Sequence, residues 1–188
     1  MVEFVEGLKY PWGNPKKLWN ILWVLVPILG IFALIGYVQK IMRSIVGGDV
    51  SGLPEFGNFM ENLKNGFVLF LKMIPIMVVV VIVNMIPFIG WFAYLLITVF
   101  FLPWLMINLF VKDTLKATFE FEKAAKAVFG NFVEYIIAYV KTIVYAIIYG
   151  LLSLVLVGIP CLQFGQNIYL ADFYAKTSTE AAEVPKKK

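Results

Sequence analysis

Three long stretches of the chain are apolar and contain no Asp, Glu, Lys or Arg: residues 18–39, 73–111 and 142–171. A hydrocarbon core about 30 Å thick needs about 20 helical residues, so an uncharged apolar run of 18 or more indicates a membrane-spanning helix. The first stretch has the length of one crossing, and the other two are long enough for two helices each. The pattern therefore predicts an all-α, polytopic transmembrane helix bundle with about five crossings.

Proline and glycine residues mark where these stretches are predicted to turn. The second stretch breaks at residues 85–90, and the third breaks at Gly158-Ile159-Pro160, which leaves a last helix over residues 161–175. Pro27 lies within the first stretch and has two interpretations. Either it kinks a single crossing, or it forms a re-entrant hairpin, in which case only four helices span the membrane.

Two amphipathic helices are predicted between the crossings, at residues 55–65 and 113–128. The first places four apolar side chains on one face, and the second places a charged row opposite an alanine-rich row. Such helices lie at the level of the lipid headgroups, where they either cap the bundle or present a docking surface. The candidate docking or interfacial residues are Phe56, Phe59, Met60, Lys116 and Lys123.

An internal repeat is also predicted. Phe56-Gly57-Asn58 recurs 73 residues later as Phe129-Gly130-Asn131, and the same offset relates Ile86-Pro87 to Ile159-Pro160. Both units begin on the same side of the membrane. We therefore expect a parallel repeat of residues 56–115 and 129–176, related by an axis along the membrane normal.

Composition supports lipid as the solvent, because 61% of the residues are hydrophobic and 15% are charged, against about 45–50% and 25% in soluble domains. Lysines cluster in the first and third connections and at the C-terminus, which by the positive-inside rule are cytoplasmic. Five crossings then predict a multi-pass plasma-membrane protein with an external N-terminus. Lys9, Lys16 and Lys17 contradict this orientation unless Pro27 forms the re-entrant hairpin.

The domain organisation follows from this pattern. Residues 1–17 form an N-terminal segment, residues 18–176 form the transmembrane helical domain, and residues 177–188 form a basic tail that we expect to be disordered. The net charge of +4 is taken as orientation information, and no nucleic-acid partner is predicted.

Candidate chemistry is sparse. The chain has no histidine and one cysteine, and no nucleophile, base or metal-binding motif stands out, so we predict no catalytic residue, cofactor or metal site, and no enzyme. Polar side chains inside the apolar stretches are the better clue. They either join helices by hydrogen bonds or line a pocket for a small ligand or a lipid headgroup. These residues are Gln163, Gln166 and Asn167 in the last helix, and Asn84 and Asn108 elsewhere.

One family resemblance covers nearly the whole chain. Its most specific part is the run Gly36-Tyr37, Arg43, Gly47, Leu53-Pro54-Glu55-Phe56 and Gly66. This run resembles the membrane family called domain of unknown function 4013, which occurs in archaea and bacteria. The resemblance implies a membrane protein and no assigned activity.

The functional hypothesis is a non-catalytic membrane scaffold, assembly or accessory component. Its partners would be the lipid bilayer and either other membrane proteins or a second copy of the chain. The alternative is a small transporter or lipid-handling protein with a polar pocket near the last helix.

Overall fold

The computed structural model describes residues 1–178, and it confirms the predicted helical bundle. Within these residues, four helices are long and apolar enough to cross a membrane: Leu29–Val46, Phe59–Asn84, Ile89–Lys112 and Phe132–Val155. The predicted basic tail lies outside the described residues from residue 179 onward. The chain is therefore a membrane-embedded helical protein, with four such helices where the apolar pattern predicts about five.

The helices follow one another along the chain with short 3₁₀ segments between them. The α-helices are α1 (Phe4–Lys9), α2 (Leu29–Val46), α3 (Phe59–Asn84), α4 (Ile89–Leu96), α5 (Leu102–Lys112), α6 (Phe121–Gly130), α7 (Phe132–Leu152), α8 (Gly158–Gly165) and α9 (Ile168–Thr177). A π-helical segment, Ile97–Phe101, joins α4 to α5. An 11-residue 3₁₀-helix, Pro15–Leu25, precedes α2.

These elements form three hairpins, which we call hairpin 1 (residues 15–46), hairpin 2 (residues 59–112) and hairpin 3 (residues 132–177). Residues 47–58 and 113–131 connect them, and these two connections form what we call the base of the bundle. The returning arms α2, α5 and α9 all contact one another and form the centre. The first arms pack around that centre, so the core lies between the three returning helices.

Each hairpin reverses direction at one residue with positive φ: Ile28 (63°), Phe88 (60°) and Leu156 (62°). In each turn the next N–H donates to the preceding carbonyl, as from Leu29 to Pro27 at 2.6 Å. This γ-turn is rare in water, but it satisfies backbone polar groups locally, as hydrocarbon requires.

The single crossing predicted for residues 18–39 is wrong. Pro27 has no N–H to continue the helix, and Ile28 then reverses the chain into α2. Both arms return to the first connection: Lys17 Nζ lies 2.9 Å from Glu55 Oε1, and Lys40 Nζ donates to the Phe56 carbonyl at 3.2 Å. The hairpin interpretation of Pro27 therefore describes this region.

Hairpin 1 is shorter than hairpin 2. Phe32, near the start of α2, packs edge-on against Phe67 and Phe70 of α3, with ring centroids 5.2 and 5.3 Å apart. Beyond Phe70, α3 continues to Asn84. The turn of hairpin 2 therefore lies about three helical turns, roughly 15 Å, beyond the turn of hairpin 1.

Close backbone contact locks α2 onto α3. A Cβ on Gly66 would lie 1.8 Å from the Phe32 carbonyl oxygen, and a Cβ on Gly36 would lie 2.1 Å from the Asn62 carbonyl oxygen. The neighbouring Tyr37 hydroxyl donates to the Pro54 carbonyl at 2.9 Å. Four of the residues that carry the family resemblance, Gly36, Tyr37, Pro54 and Gly66, thus form one interlocked corner between hairpins 1 and 2.

Three further boundaries differ from the prediction. Residues 55–65 do not form a separate interfacial helix, because the Asn58 side chain caps α3 by accepting from the N–H groups of Met60 and Glu61. The turn of hairpin 3 is centred on Leu156, and Pro160 lies in the first turn of α8, where proline is tolerated. The predicted last helix is divided into α8 and α9 at Gln166.

Only the second half of the other predicted amphipathic helix, residues 113–128, is α-helical. It forms α6, with Ala124, Ala127 and Val128 buried, whereas Leu115–Phe119 is a 3₁₀ segment. The predicted repeat relates positions 73 residues apart. The starts of α3 and α7 have this spacing, and each helix begins directly after the Asn of its motif. The repeat fails at the turns, because Pro87 precedes a turn residue whereas Pro160 is helical.

Candidate functional site at the base

A buried polar joint closes the base between hairpins 2 and 3. The Asn108 amide nitrogen donates to the Ala117 carbonyl and to Glu120 Oε2, each at 2.9 Å, and its oxygen accepts from the Tyr174 hydroxyl at 2.7 Å. Lys112 also donates to Glu120. Asn108 is fully buried, so the joint uses its amide to tie α5, α9 and the second connection together.

Glu120 is the electrostatic centre of this joint. Burial alone would raise the pKa of its carboxyl group, but hydrogen bonds from Lys112 and Asn108 outweigh burial and hold the pKa below its usual value. Lys123 adds an ion pair at 3.4 Å. The carboxylate is therefore ionised at neutral pH and acts as a fixed acceptor.

A second joint ties hairpin 1 to the end of hairpin 2. Gln39, which is buried, donates to the Phe110 carbonyl at 3.1 Å, and Arg43 donates to the same oxygen at 3.0 Å. Phe110 lies in the last turn of α5, where carbonyls have no helical partner. The two side chains thus satisfy a helix end at the centre of the bundle.

Tyrosine hydroxyls make most of the remaining cross-links. Five of the nine tyrosines donate to a backbone carbonyl of another segment. Tyr135 donates to the carbonyl of Val99, which lies in the π-helical segment between α4 and α5. The five donors are Tyr37, Tyr135, Tyr145, Tyr149 and Tyr169.

The N-terminal segment is held by the same kind of contact. Tyr169 and Tyr149 donate to the carbonyls of Phe4 and Leu8, and the Val2 N–H donates to Asp172 at 2.7 Å. The N-terminal ammonium lies 3.9 Å from the same carboxylate. Sequence reasoning misses this segment because residues 1–14 have no long apolar run, and because its partners lie more than a hundred residues away.

The predicted polar stripe of the last helix is not assembled. Gln163 is exposed, whereas Gln166 and Asn167 are half-buried where α8 gives way to α9. Asn84 is exposed at the end of α3. Asn108 alone lies in the buried joint, so the structure does not bring these five amides together.

The predicted docking residues also separate. Phe56 is buried and stacks on Trp23, and Phe59 packs on the same indole with centroids 4.5 Å apart. Met60 is exposed at the start of α3. Lys116 and Lys123 are exposed at the base, and Lys123 is paired with Glu120. Three of the five therefore remain available on the surface.

Among the described residues, cavities open around the base and the N-terminal segment. A cavity of about 660 Å³ is lined by Tyr10, whose buried hydroxyl has no hydrogen-bond partner among residues 1–178. One of about 200 Å³ lies beside Trp104, whose indole N–H also has no partner within these residues, and one of about 550 Å³ lies beside Lys16. Among the described residues, no group of three or more His, Cys, Asp or Glu side chains could hold a metal ion.

A third copy of one sequence motif becomes visible only with the hairpins. Trp12-Gly13-Asn14 directly precedes the first arm of hairpin 1, as the two Phe-Gly-Asn motifs precede α3 and α7. The turn of hairpin 1, residues 26–30 (VPILG), likewise matches residues 86–90 (IPFIG). These short matches were the available signal for a hairpin in place of the first crossing.

Comparison with protein-family models, with curated proteins and with solved structures finds no match.

Proposed function

We propose that this chain is a non-catalytic membrane scaffold that presents its base to a partner protein. The observation that carries the proposal is the use of the buried polar groups. Asn108, Gln39 and the five cross-linking tyrosines are bonded to other segments of the same chain. Groups bonded in this way rigidify and specify one packing arrangement.

The exposed base supplies the docking surface. On α6, Glu122 and Lys126 are exposed and pair with each other at 2.7 Å, while Lys116 is exposed in the second connection and Met60 is exposed just after the first. Phe119 and Phe129 add exposed apolar area in the second connection. Mixed charged and aromatic surface of this kind is typical of the rim and anchors of a protein interface.

The proposed orientation places this base in the cytoplasm. Lys116, Lys123 and Lys126 lie in the second connection, and Lys40 and Lys64 flank the first. Both the N-terminus and the end of α9 meet at Asp172. The positive-inside rule then puts both termini on the cytoplasmic side of the plasma membrane, with hairpin 1 re-entrant. This replaces the external N-terminus expected from five crossings.

Membership of the family called domain of unknown function 4013 is proposed as well. Its support is that the matching residues share one structural task. Gly36, Gly66 and Tyr37 hold α2 to α3 and to the first connection.

Photo-crosslinking in native membranes tests the scaffold role. A photoreactive residue replaces Lys116 or Met60, and the matched control replaces Val78, which faces outward in the middle of α3. We expect a discrete protein adduct at the two base positions and only lipid adducts at Val78. Absence of a protein adduct at both base positions, with the chain intact in the membrane, would remove the support for a scaffold.

The alternative of a small transporter or lipid-handling protein has less support, because Gln163, Gln166 and Asn167 do not converge on one pocket. Replacing all three by leucine tests it directly. The scaffold proposal expects unchanged solute flux and lipid binding in liposomes, whereas loss of either would favour the alternative.

A further inference from the structure

The outer end of hairpin 1 at the base contains two adjacent lysines and an open cavity. The cavity measures about 550 Å³, and Asn14, Lys16, Lys17, Asn20, Glu55 and Phe56 are among its lining residues; we call this group the foot of hairpin 1. Lys17 is paired with Glu55 and bonded to the Leu53 carbonyl at 2.9 Å. Lys16 is exposed and has no ion pair among residues 1–178. The foot therefore carries one uncompensated positive charge next to a space large enough for a small polar group.

Beyond the foot, the first arm of hairpin 1 becomes steadily more apolar. Trp19 follows at 70% exposed, and Leu22 and Leu25 follow at 48% and 73%. Tryptophan prefers the boundary between headgroups and hydrocarbon, and exposed leucine suits the hydrocarbon itself. The order of cation, aromatic ring and aliphatic side chain is the polarity order of a phospholipid from phosphate to acyl chains.

The length of this arm also matches one leaflet. From Lys17 to Leu25 the 3₁₀-helix rises about 16 Å at about 2.0 Å per residue. Half of a bilayer, with its headgroups, is about 20 Å thick. Because Pro27 reverses the chain at that point, the arm ends near the bilayer centre, whereas α3 continues further.

We propose that the foot of hairpin 1 binds one anionic phospholipid of the leaflet that contacts the base. Its phosphate lies between Lys16 and Lys17, the amides of Asn14 and Asn20 face its headgroup, and its chains follow Trp19, Leu22 and Leu25. The inference rests on the proposed re-entrant placement of hairpin 1. It assigns the lipid a structural role, since the bound lipid would hold the short hairpin at a defined depth.

Native mass spectrometry of the full chain in detergent tests this site. The protein is titrated with phosphatidylglycerol, with phosphatidylcholine and with inorganic phosphate. We expect one tightly retained phosphatidylglycerol, little retention of phosphatidylcholine, and no displacement by phosphate at the same concentration. Lys16→Gln should weaken retention about fivefold, as expected for one interfacial charge.

Two variants make the result specific to the foot. Lys16→Arg should retain the lipid, and Lys116→Gln, which removes an exposed base lysine outside the cavity, should not change binding. Equal retention of the two lipids, or equal loss in Lys16→Gln and Lys116→Gln, would overturn the site, and displacement by phosphate would reassign it to a soluble anion. Protein adducts at Lys116 or Met60 would persist in each case, so the scaffold proposal fails or survives separately.

Discussion

Hairpins 1 and 2 have the same turn but extend to different distances from the base. In both, a proline precedes a positive-φ residue. The N–H group two residues after the proline donates to the proline carbonyl at 2.6–2.7 Å, and the N–H group of the following glycine donates to the carbonyl of the residue before the proline at 3.0 Å. A Cβ on Gly30 or Gly90 would meet a carbonyl of the preceding arm at 1.7 or 2.2 Å. Yet the first arms are a 3₁₀-helix of 11 residues and an α-helix of 26. The hydrogen bonds of each turn therefore depend on residues close in sequence, whereas the distance that a hairpin extends from the base depends on the length of its arms.

Burial separates the two hairpins as well. Of the 18 residues of α2, 61% are buried inside the protein. In the most apolar 18 residues of α3, the buried share is 17%. A central helix faces other helices and must match their backbones, so α2 carries Gly36 and Tyr37 at its contacts. A peripheral helix needs only apolar side chains toward lipid, which explains the run of valines at residues 78–81.

The depth difference is tested most strongly by labelling the two turns. Ile28→Cys and Phe88→Cys are made separately, with the buried Cys161 as an unreactive background. A membrane-impermeant maleimide should label Phe88→Cys from the side opposite the termini and should label Ile28→Cys from neither side, because the proposed re-entrant placement leaves Ile28 within hydrocarbon. Equal labelling of both turns from the same side would end the distinction between a re-entrant and a crossing hairpin.

The contact between the hairpins is the next largest effect. Gly66→Ala places a Cβ 1.8 Å from the Phe32 carbonyl oxygen and 2.6 Å from the Gly36 nitrogen, so α2 and α3 must separate. We expect a loss of about 2–3 kcal/mol in the free energy of unfolding in detergent.

The matched control is Gly150→Ala in α7, where a Cβ would have nothing within 4 Å. It should be neutral or gain up to about 1 kcal/mol from helix propensity. Similar losses in both variants would mean that Gly66 acts through propensity and not through contact.

The contacts that hold hairpin 1 and hairpin 2 at the base should contribute different amounts to the free energy of unfolding. Asn108→Ala removes three hydrogen bonds from a buried joint, which should cost about 2 kcal/mol. Lys17→Gln removes a pair with Glu55, which is 84% exposed, and should cost less than about 1 kcal/mol. Chemical denaturation in mild detergent measures both, and the reverse ranking would contradict the joint as the stronger tie.

The shared turn should respond alike in both hairpins. Ile28→Gly and Phe88→Gly relieve a positive φ that side chains rarely adopt, and each should gain about 1 kcal/mol. Phe92→Gly, at an exposed helical position of α4, should instead lose about 1 kcal/mol. Thermal unfolding of the three variants checks the signs, and a loss in either turn variant would show that the turn residue is not strained.

Acid should affect hairpin 2 by a small amount through Glu120. Because its folded pKa is lowered, Glu120 stabilises the protein above its unfolded pKa, and this contribution is lost as pH falls through the folded pKa. The unfolding midpoint should therefore fall as pH decreases below about 4.3. Glu120→Gln should flatten this dependence. Lys126 also lowers the pKa of Glu122, but water screens this exposed pair, so Glu122→Gln should flatten the dependence less.

Much of this bundle was predictable from local pattern. The uncharged stretches identified the apolar helices, and Pro87 with Gly90 identified the turn of hairpin 2. The Glu122 and Lys126 pair of α6 followed from its spacing of four residues. These features depend on near neighbours along the chain, which periodicity and turn chemistry describe well.

The candidate site was predictable only in part. Asn108 was identified as an intramembrane amide, but its partners Glu120 and Tyr174 belong to segments that meet only after folding. Gln163, Gln166 and Asn167 would share one face of an uninterrupted helix. The break between α8 and α9 removes that face, because a helix wheel assumes a helix without interruption.

By itself, the sequence determined that lipid is the solvent and that the secondary structure is helical. It also determined where the uncharged stretches of 18 residues or more lie. Only the tertiary structure decided that Leu18 and Gln39 belong to opposite arms of one hairpin, that α2 is central, and that the N-terminal segment packs against α7 and α9. The physical reason is that solvent preference adds up residue by residue, whereas depth and neighbourhood depend on contacts between residues far apart in the chain.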